Sequence, residues 1–171
     1  MWRMKTKSDK PLTYEQLMSR SFGKESSSFW SFTLSPRGLQ VKDVQRYLDG
    51  GGDPNGRTEH QQTLLHIAAD NSELDVIKLL ISRGADLNAK GFHGYSPLHL
   101  AVDADCDTSA RKNRRLSELP VTRLLIESGA DEFIRDDEGE IPRDTAVAYG
   151  KVATELYDAI PRMPSSKRSL H

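Results

Sequence analysis

Five histidines, one cysteine and 25 acidic residues are the groups with which this chain of 171 residues could do chemistry. The histidines are His60, His66, His93, His99 and His171. A metal centre needs several ligands converging on one ion. His60 and His93 stand 33 residues apart (93 − 60), so a surface metal pair is the minor alternative to a solvated role for both. The sequence has no paired-acid, Ser/His/Asp or Cys/His arrangement at credible local spacing, and no glycine loop that could cradle a phosphate. Cys106 lies between Asp105 and Asp107, whose charge raises a thiol pKa and dulls its nucleophilicity. The expectation is a chain without catalytic residues, metal or cofactor.

Composition narrows the class further. Apolar residues make up 36% of the chain and its mean hydropathy is −0.61, so an unusual share of its surface must be solvated. With 24 basic and 25 acidic residues the net charge is −1, which leaves no global field to recruit nucleic acid or an anionic membrane. A single cysteine excludes an intramolecular disulfide and fits a reducing, cytoplasmic location. No apolar run approaches the roughly 20 residues that cross a bilayer.

The elements that must position these residues announce themselves by repetition. Thr63-Leu64-Leu65-His66-Ile67-Ala68-Ala69 returns as Ser96-Pro97-Leu98-His99-Leu100-Ala101-Val102, 33 residues later (99 − 66). Gly51-Gly52-Asp53 returns as Gly84-Ala85-Asp86 at the same period, and again as Gly129-Ala130-Asp131 after 45 (129 − 84). Ile141-Pro142-Arg143-Asp144-Thr145-Ala146 keeps that 45-residue offset, so one insertion of 12 residues (45 − 33), between Val102 and Val121, accounts for both. Thr63 and Ser96 are N-cap residues and Pro97 suits a first helical position. Leu74, Ile77, Leu80 and Ile81 then recur at three- and four-residue spacing, as do Val121, Leu124 and Leu125. Gly84 and Gly129 stop those helices, and Gly50-Gly51-Gly52 closes another.

Period, helix-start signature and Gly-Ala-Asp turn together resemble the ankyrin repeat. The resemblance covers about residues 38 to 160 and implies an all-α solenoid of stacked helix-turn-helix units. The expected organisation is an N-terminal extension over 1–35, an ankyrin domain over 36–160 with about four repeats, and a disordered tail over 161–171. In repeat one, Val44, Tyr47 and Leu48 form the apolar stripe of the second helix. Repeat four, with Asp144 and Arg143 in place of the signature His and Leu, reads as a polar cap. The family uses the signature histidine for hydrogen bonds within and between repeats, which gives His66 and His99 a structural role.

The same resemblance implies where a partner binds, because ankyrin proteins commonly use the tips of their turns and the adjoining ends of the first helices. That carries over to Glu59, His60, Gln62, Asp70 and Asn71 in repeat two. In repeat three it selects Phe92, His93, Tyr95, Asp103 and Ala104, and in repeat four Asp137, Glu138, Glu140, Ala148 and Tyr149. An aromatic centre with an acidic flank, Asp136 included, suits a protein bearing a basic patch; the alternative is that Phe92 packs on the neighbouring turn and the acids are solvated. The insertion, near 105–119, carries Arg111, Lys112, Arg114 and Arg115, either as a solvated loop or as a loop contact to a partner. Nucleic acid is disfavoured there because no aromatics interleave the cations.

Two function classes remain. One is a protein-protein interaction module, acting as an adaptor or a stoichiometric inhibitor, an immunity-type protein being one version that chains of this size serve. The other is a structural or localisation tether assembling through Phe29, Trp30, Phe32 and the basic loop. Those aromatics either cover the open face of the first repeat or grip a partner. Upstream of them, Thr13-Tyr14-Glu15-Gln16 reads as a capping box opening a short helix.

Overall fold

The computed structural model describes residues 11–22, 38–111 and 116–162. Its secondary structure is helical apart from one isolated antiparallel bridge between Arg57 and Thr63. In chain order the helices are α1 (Tyr14–Phe22), α2 (Val41–Asp49), α3 (Leu64–Asp70), α4 (Leu74–Ser82), α5 (Pro97–Arg111), α6 (Pro120–Glu127), α7 (Pro142–Ala148) and α8 (Lys151–Asp158). The first helices of successive repeats stack as α3, α5, α7, and the second helices as α2, α4, α6. Within repeats α3 pairs with α4, α5 with α6 and α7 with α8.

Residue size in register sets how closely the stack closes. Ala68, Ala101 and Ala146 hold one repeat position in α3, α5 and α7, and all three are fully buried. Around them Leu64, Leu65, Leu98, Ile77, Leu80, Val121 and Leu125 are also fully buried, each leucine or isoleucine contributing about 1.5–3 kcal/mol of apolar transfer. Gly84 and Gly129 end α4 and α6 in left-handed backbone, φ +79° and +97°, where a Cβ is strained.

The upstream end is covered by α1. Thr13 and Gln16 cap it reciprocally, each backbone N–H donating to the other's side chain at 3.2 Å. Leu12, Leu17 and Met18 are buried, α1 packs on α2, and the Tyr14 and Tyr47 rings meet edge to face at 6.0 Å. Phe29, Trp30 and Phe32 lie outside the described residues, as do Lys112, Arg114, Arg115 and 163–171. Tyr47 also explains Gly52, the last of the glycine run after α2, since a Cβ there would lie 2.4 Å from its ring. Gly52→Ala is expected to cost about 2 kcal/mol by overpacking a buried aromatic. Urea denaturation reads this directly, and an unchanged midpoint would contradict it.

Two features differ from the sequence reading. The insertion is not a loop from Asp105 onward: α5 runs 15 residues where α3 and α7 have seven, so its last eight (15 − 7) extend the first helix by about 12 Å. Downstream, Arg162 is held and not free: its Nε and Nη2 donate to Glu132 at 3.1 and 2.8 Å, and its guanidinium lies 5.4 Å from the centre of the Tyr157 ring.

Candidate functional site

The site is built by bonds that hand each repeat to the next. Thr63 N–H donates to His66 Nδ1 at 3.2 Å, which makes Nδ1 the acceptor and leaves the proton on Nε2. Nε2–H then donates to the Tyr95 carbonyl at 3.0 Å, in the turn of the following repeat. His99 does the same, accepting from Ser96 N–H at 3.1 Å and donating to the Glu140 carbonyl at 3.2 Å. Both rings are buried, and burial lowers their pKa, that of His66 to about 4. In repeat four Asp144 accepts from Ile141 N–H at 2.9 Å, keeping the cap but with no reach to a further turn.

A second chain runs along the outer turns. Asn55 accepts from Asp86 N–H at 2.7 Å and donates to the Gly84 carbonyl at 3.2 Å; Asn88 accepts from Asp131 N–H at 2.8 Å. Phe133 stands at the next position of this series, 70% exposed. The turn tips are joined too, by Asp137 N–H donating to the His93 carbonyl at 3.0 Å. The tips present their side chains because these bonds hold the backbone beneath them.

On this frame the rings of repeats two and three form one file. His60 meets Phe92 edge to face at 6.1 Å, Phe92 meets His93 at 4.0 Å, His93 meets Tyr95 at 6.2 Å, and Tyr95 leans on buried His99 at 5.6 Å. His93 adopts left-handed backbone, φ +54°, a conformation costly for a residue with a Cβ. Phe92 is half-buried in this file, its ring packed between those of His60 and His93. The interposed Phe92 ring also argues against a metal shared by His60 and His93. Among the described residues no group of three or more His, Cys, Asp or Glu converges as metal ligands.

The remaining selected residues are placed as follows. Glu59, His93, Asp103, Asp137, Glu138, Glu140 and Tyr149 are exposed; His60, Asp70, Asn71, Phe92 and Tyr95 are half-buried. Gln62 is a correction: it is only 8% exposed, because the turn closes through its backbone, whose N–H donates to Thr58 Oγ1 at 3.1 Å. Ala104 is likewise buried, at 6%. Asn71 ends α3, its amide donating to the Ile67 carbonyl at 2.9 Å. Asp136 is no part of an acidic surface: it is buried and accepts from Glu138 and Glu140 N–H, both at 2.9 Å, which shapes the turn that exposes those glutamates. Arg111 is the last residue of α5.

Two groups in the extended α5 were not legible as partners. Asp103 Oδ1 accepts the Tyr149 hydroxyl at 2.9 Å, across 46 positions. Asp105 accepts from Thr122 N–H and Thr122 Oγ1, both at 2.9 Å, and from Val121 N–H at 3.4 Å. It thereby caps α6, whose own N-cap, Leu119, has no side chain to do so. Burial raises the Asp105 pKa to about 6 and, with Asp105 and Asp103 next in weight, pushes the Cys106 thiol up to about 12. A buried thiol of that kind is inert at neutral pH.

Against known sequences, the family model for ankyrin repeats in many copies matches residues 47–101, and that for the single ankyrin repeat matches 93–137. The chain is similar to the E3 ubiquitin-protein ligase KEG of Arabidopsis thaliana, 29% identical over 67% of this chain and 6% of that protein. It is 28% identical to an ankyrin repeat-containing protein of Schizosaccharomyces pombe, over 66% of this chain and 63% of the other. With the human NF-kappa-B inhibitor zeta it shares 36% identity over 47% of this chain and 11% of that protein. It thus spans less than two thirds of the length of each. No helix among the described residues is long and apolar enough to cross a membrane. The matched repeats, the helix stack and the histidine bonds between turns are one and the same periodicity: the chain belongs to the ankyrin-repeat family.

Proposed function

We propose that this chain is a non-catalytic protein-binding module, an adaptor or a stoichiometric inhibitor, that holds a cytoplasmic partner bearing a basic patch. The observation that carries the reading is the file of rings from His60 to Tyr95 beside exposed Asp137, Glu138 and Glu140, on turns bonded to one another. Aromatics in such a position supply anchor area, and neighbouring carboxylates select charge. The relative named as an NF-kappa-B inhibitor supports an inhibitory role by analogy alone. With Asp137, Glu138 and Glu140 we assign Glu59, His60, Asp70, Asn71, Phe92, His93, Tyr95, Asp103 and Tyr149 to the surface, and leave out buried Gln62.

Affinity purification from the native cell, followed by mass spectrometry, is expected to return one stoichiometric protein. The double variant Phe92→Ala/Tyr95→Ala should weaken that complex about tenfold or more while leaving the fold melting cooperatively. Unchanged affinity in the double variant would sink the reading.

A further inference from the structure

We propose that the junction of repeats three and four holds a cation-anchoring subsite, in which Tyr95, Asp103 and Tyr149 receive one guanidinium from an arginine-bearing segment of the partner. The inference rests on the surface reading just given and names the group that this surface grips.

Asp103 comes from α5 and Tyr149 from the end of α7, and their hydrogen bond at 2.9 Å joins two elements that the insertion separates in sequence. Both are exposed, Tyr149 by 45%. The bond uses one carboxylate oxygen, Oδ1, and its donor is the phenol, so Asp103 remains an acceptor with its charge intact. Tyr95 belongs to the same locality, because its ring leans at 5.6 Å on His99, which stands one helical turn before Asp103 on α5. Burial first, then the charges of Asp136, Glu138, Glu140 and Asp103, raise its phenol above the ordinary value. The subsite is therefore two tyrosine rings and a fixed carboxylate, with further negative charge behind them.

Among the described residues the nearby arginines are engaged elsewhere. Arg143 is spent on Asp158 at 2.7 Å, Arg162 on Glu132 at 2.8 Å, and Arg123 faces Glu127 at 4.0 Å. Among the described residues no ion pair involves Asp103, Asp137, Glu138 or Glu140. A guanidinium suits the place better than an ammonium, because it is planar, stacks on aromatic rings and presents a fork of donors to a carboxylate.

The probe is N-acetyl-arginine amide, titrated into the full chain and followed by NMR of the tyrosine rings, with the neutral citrulline derivative as control. Tyr95 and Tyr149 ring signals are expected to move with the arginine derivative and to stay still with the citrulline one. Asp103→Asn should raise the probe's Kd about threefold, the scale of one exposed charge pair. Equal movement with citrulline, or an affinity untouched by Asp103→Asn, would overturn the subsite. The partner complex separates this from the broader reading. If Phe92→Ala/Tyr95→Ala weakens the complex while arginine does not bind, the subsite is wrong and the surface stands. If arginine binds as expected and the double variant leaves the complex intact, the subsite stands and the surface reading fails.

Discussion

Replacing His66 with alanine is expected to lower the free energy of unfolding at pH 7 by about 3 kcal/mol, the sum of a buried ring lost and hydrogen bonds left open. The ring fills fully buried space, satisfies the start of α3 and reaches the Tyr95 carbonyl in the next repeat. The variant therefore loosens a repeat and an interface together. The pH dependence gives the prediction its signature. Held at about 4 when folded against an ordinary 6.5, His66 binds fewer protons in the native state across that window. Stability from its neutral form is thus complete above pH 6.5 and falls as pH drops toward 4. Wild type should lose on the order of 2 kcal/mol from this group by pH 5. Glu73, raised by burial to about 7, and Asp105, raised to about 6, act with the opposite sign, because a raised carboxyl favours the fold at low pH and loses that contribution as pH rises. The wild-type curve alone is therefore composite. The gap between wild type and His66→Ala isolates the histidine, and it should narrow steadily from pH 7 to pH 5. A gap independent of pH would refute the neutral, bridging ring.

Asp105→Ala should cost about 2 kcal/mol, since two backbone N–H groups and a hydroxyl lose their acceptor at the start of α6. Asn at this position keeps one acceptor oxygen and should recover about half of that. Hydrogen exchange gives the sharper readout: Val121 and Thr122 amides should lose protection first, before those of α4. If Asp105→Ala unfolds like wild type, or if exchange at α6 is unaltered, the carboxylate is not the cap. Because Asp105 lies in the added turns of α5, the prediction also says that the insertion is partly a structural device.

What could be read in the sequence was whatever recurs in register. His66 and His99 occupy one repeat position, which period exposes, and the resemblance to the ankyrin repeat implied their bonding role; Ala68, Ala101 and Ala146 share a position too, but only the structure shows them stacked and fully buried. The capping box at Thr13 was equally plain, because both halves of it sit within four residues. Pairings between residues far apart in sequence were hidden: Asp103 meets Tyr149 across 46 positions, and Asp105 meets Thr122 because the helix continues where the repeat would have turned. Gln62 and Asp136 misled for a different reason. Polar side chains in a turn read as surface, yet Gln62 is covered once its backbone closes the turn and Asp136 points inward to satisfy Glu138 and Glu140 N–H. Arg162 tied to Glu132 could not be inferred from a tail rich in serine and basic residues.

His66 and His99 donate forward to the Tyr95 and Glu140 carbonyls, and Asn55 and Asn88 accept from Asp86 and Asp131 N–H, so in each bond a side chain of one repeat meets the backbone of the next. Repeat units are consequently not interchangeable tiles. A duplicate of residues 56–88 spliced in after Asn88 would offer its own histidine and asparagine to the backbone downstream and its own turn backbone to the side chains upstream. Grafted beyond Asp144 and Phe133, which have stopped passing the chain forward, the same unit would find no hand extended to it.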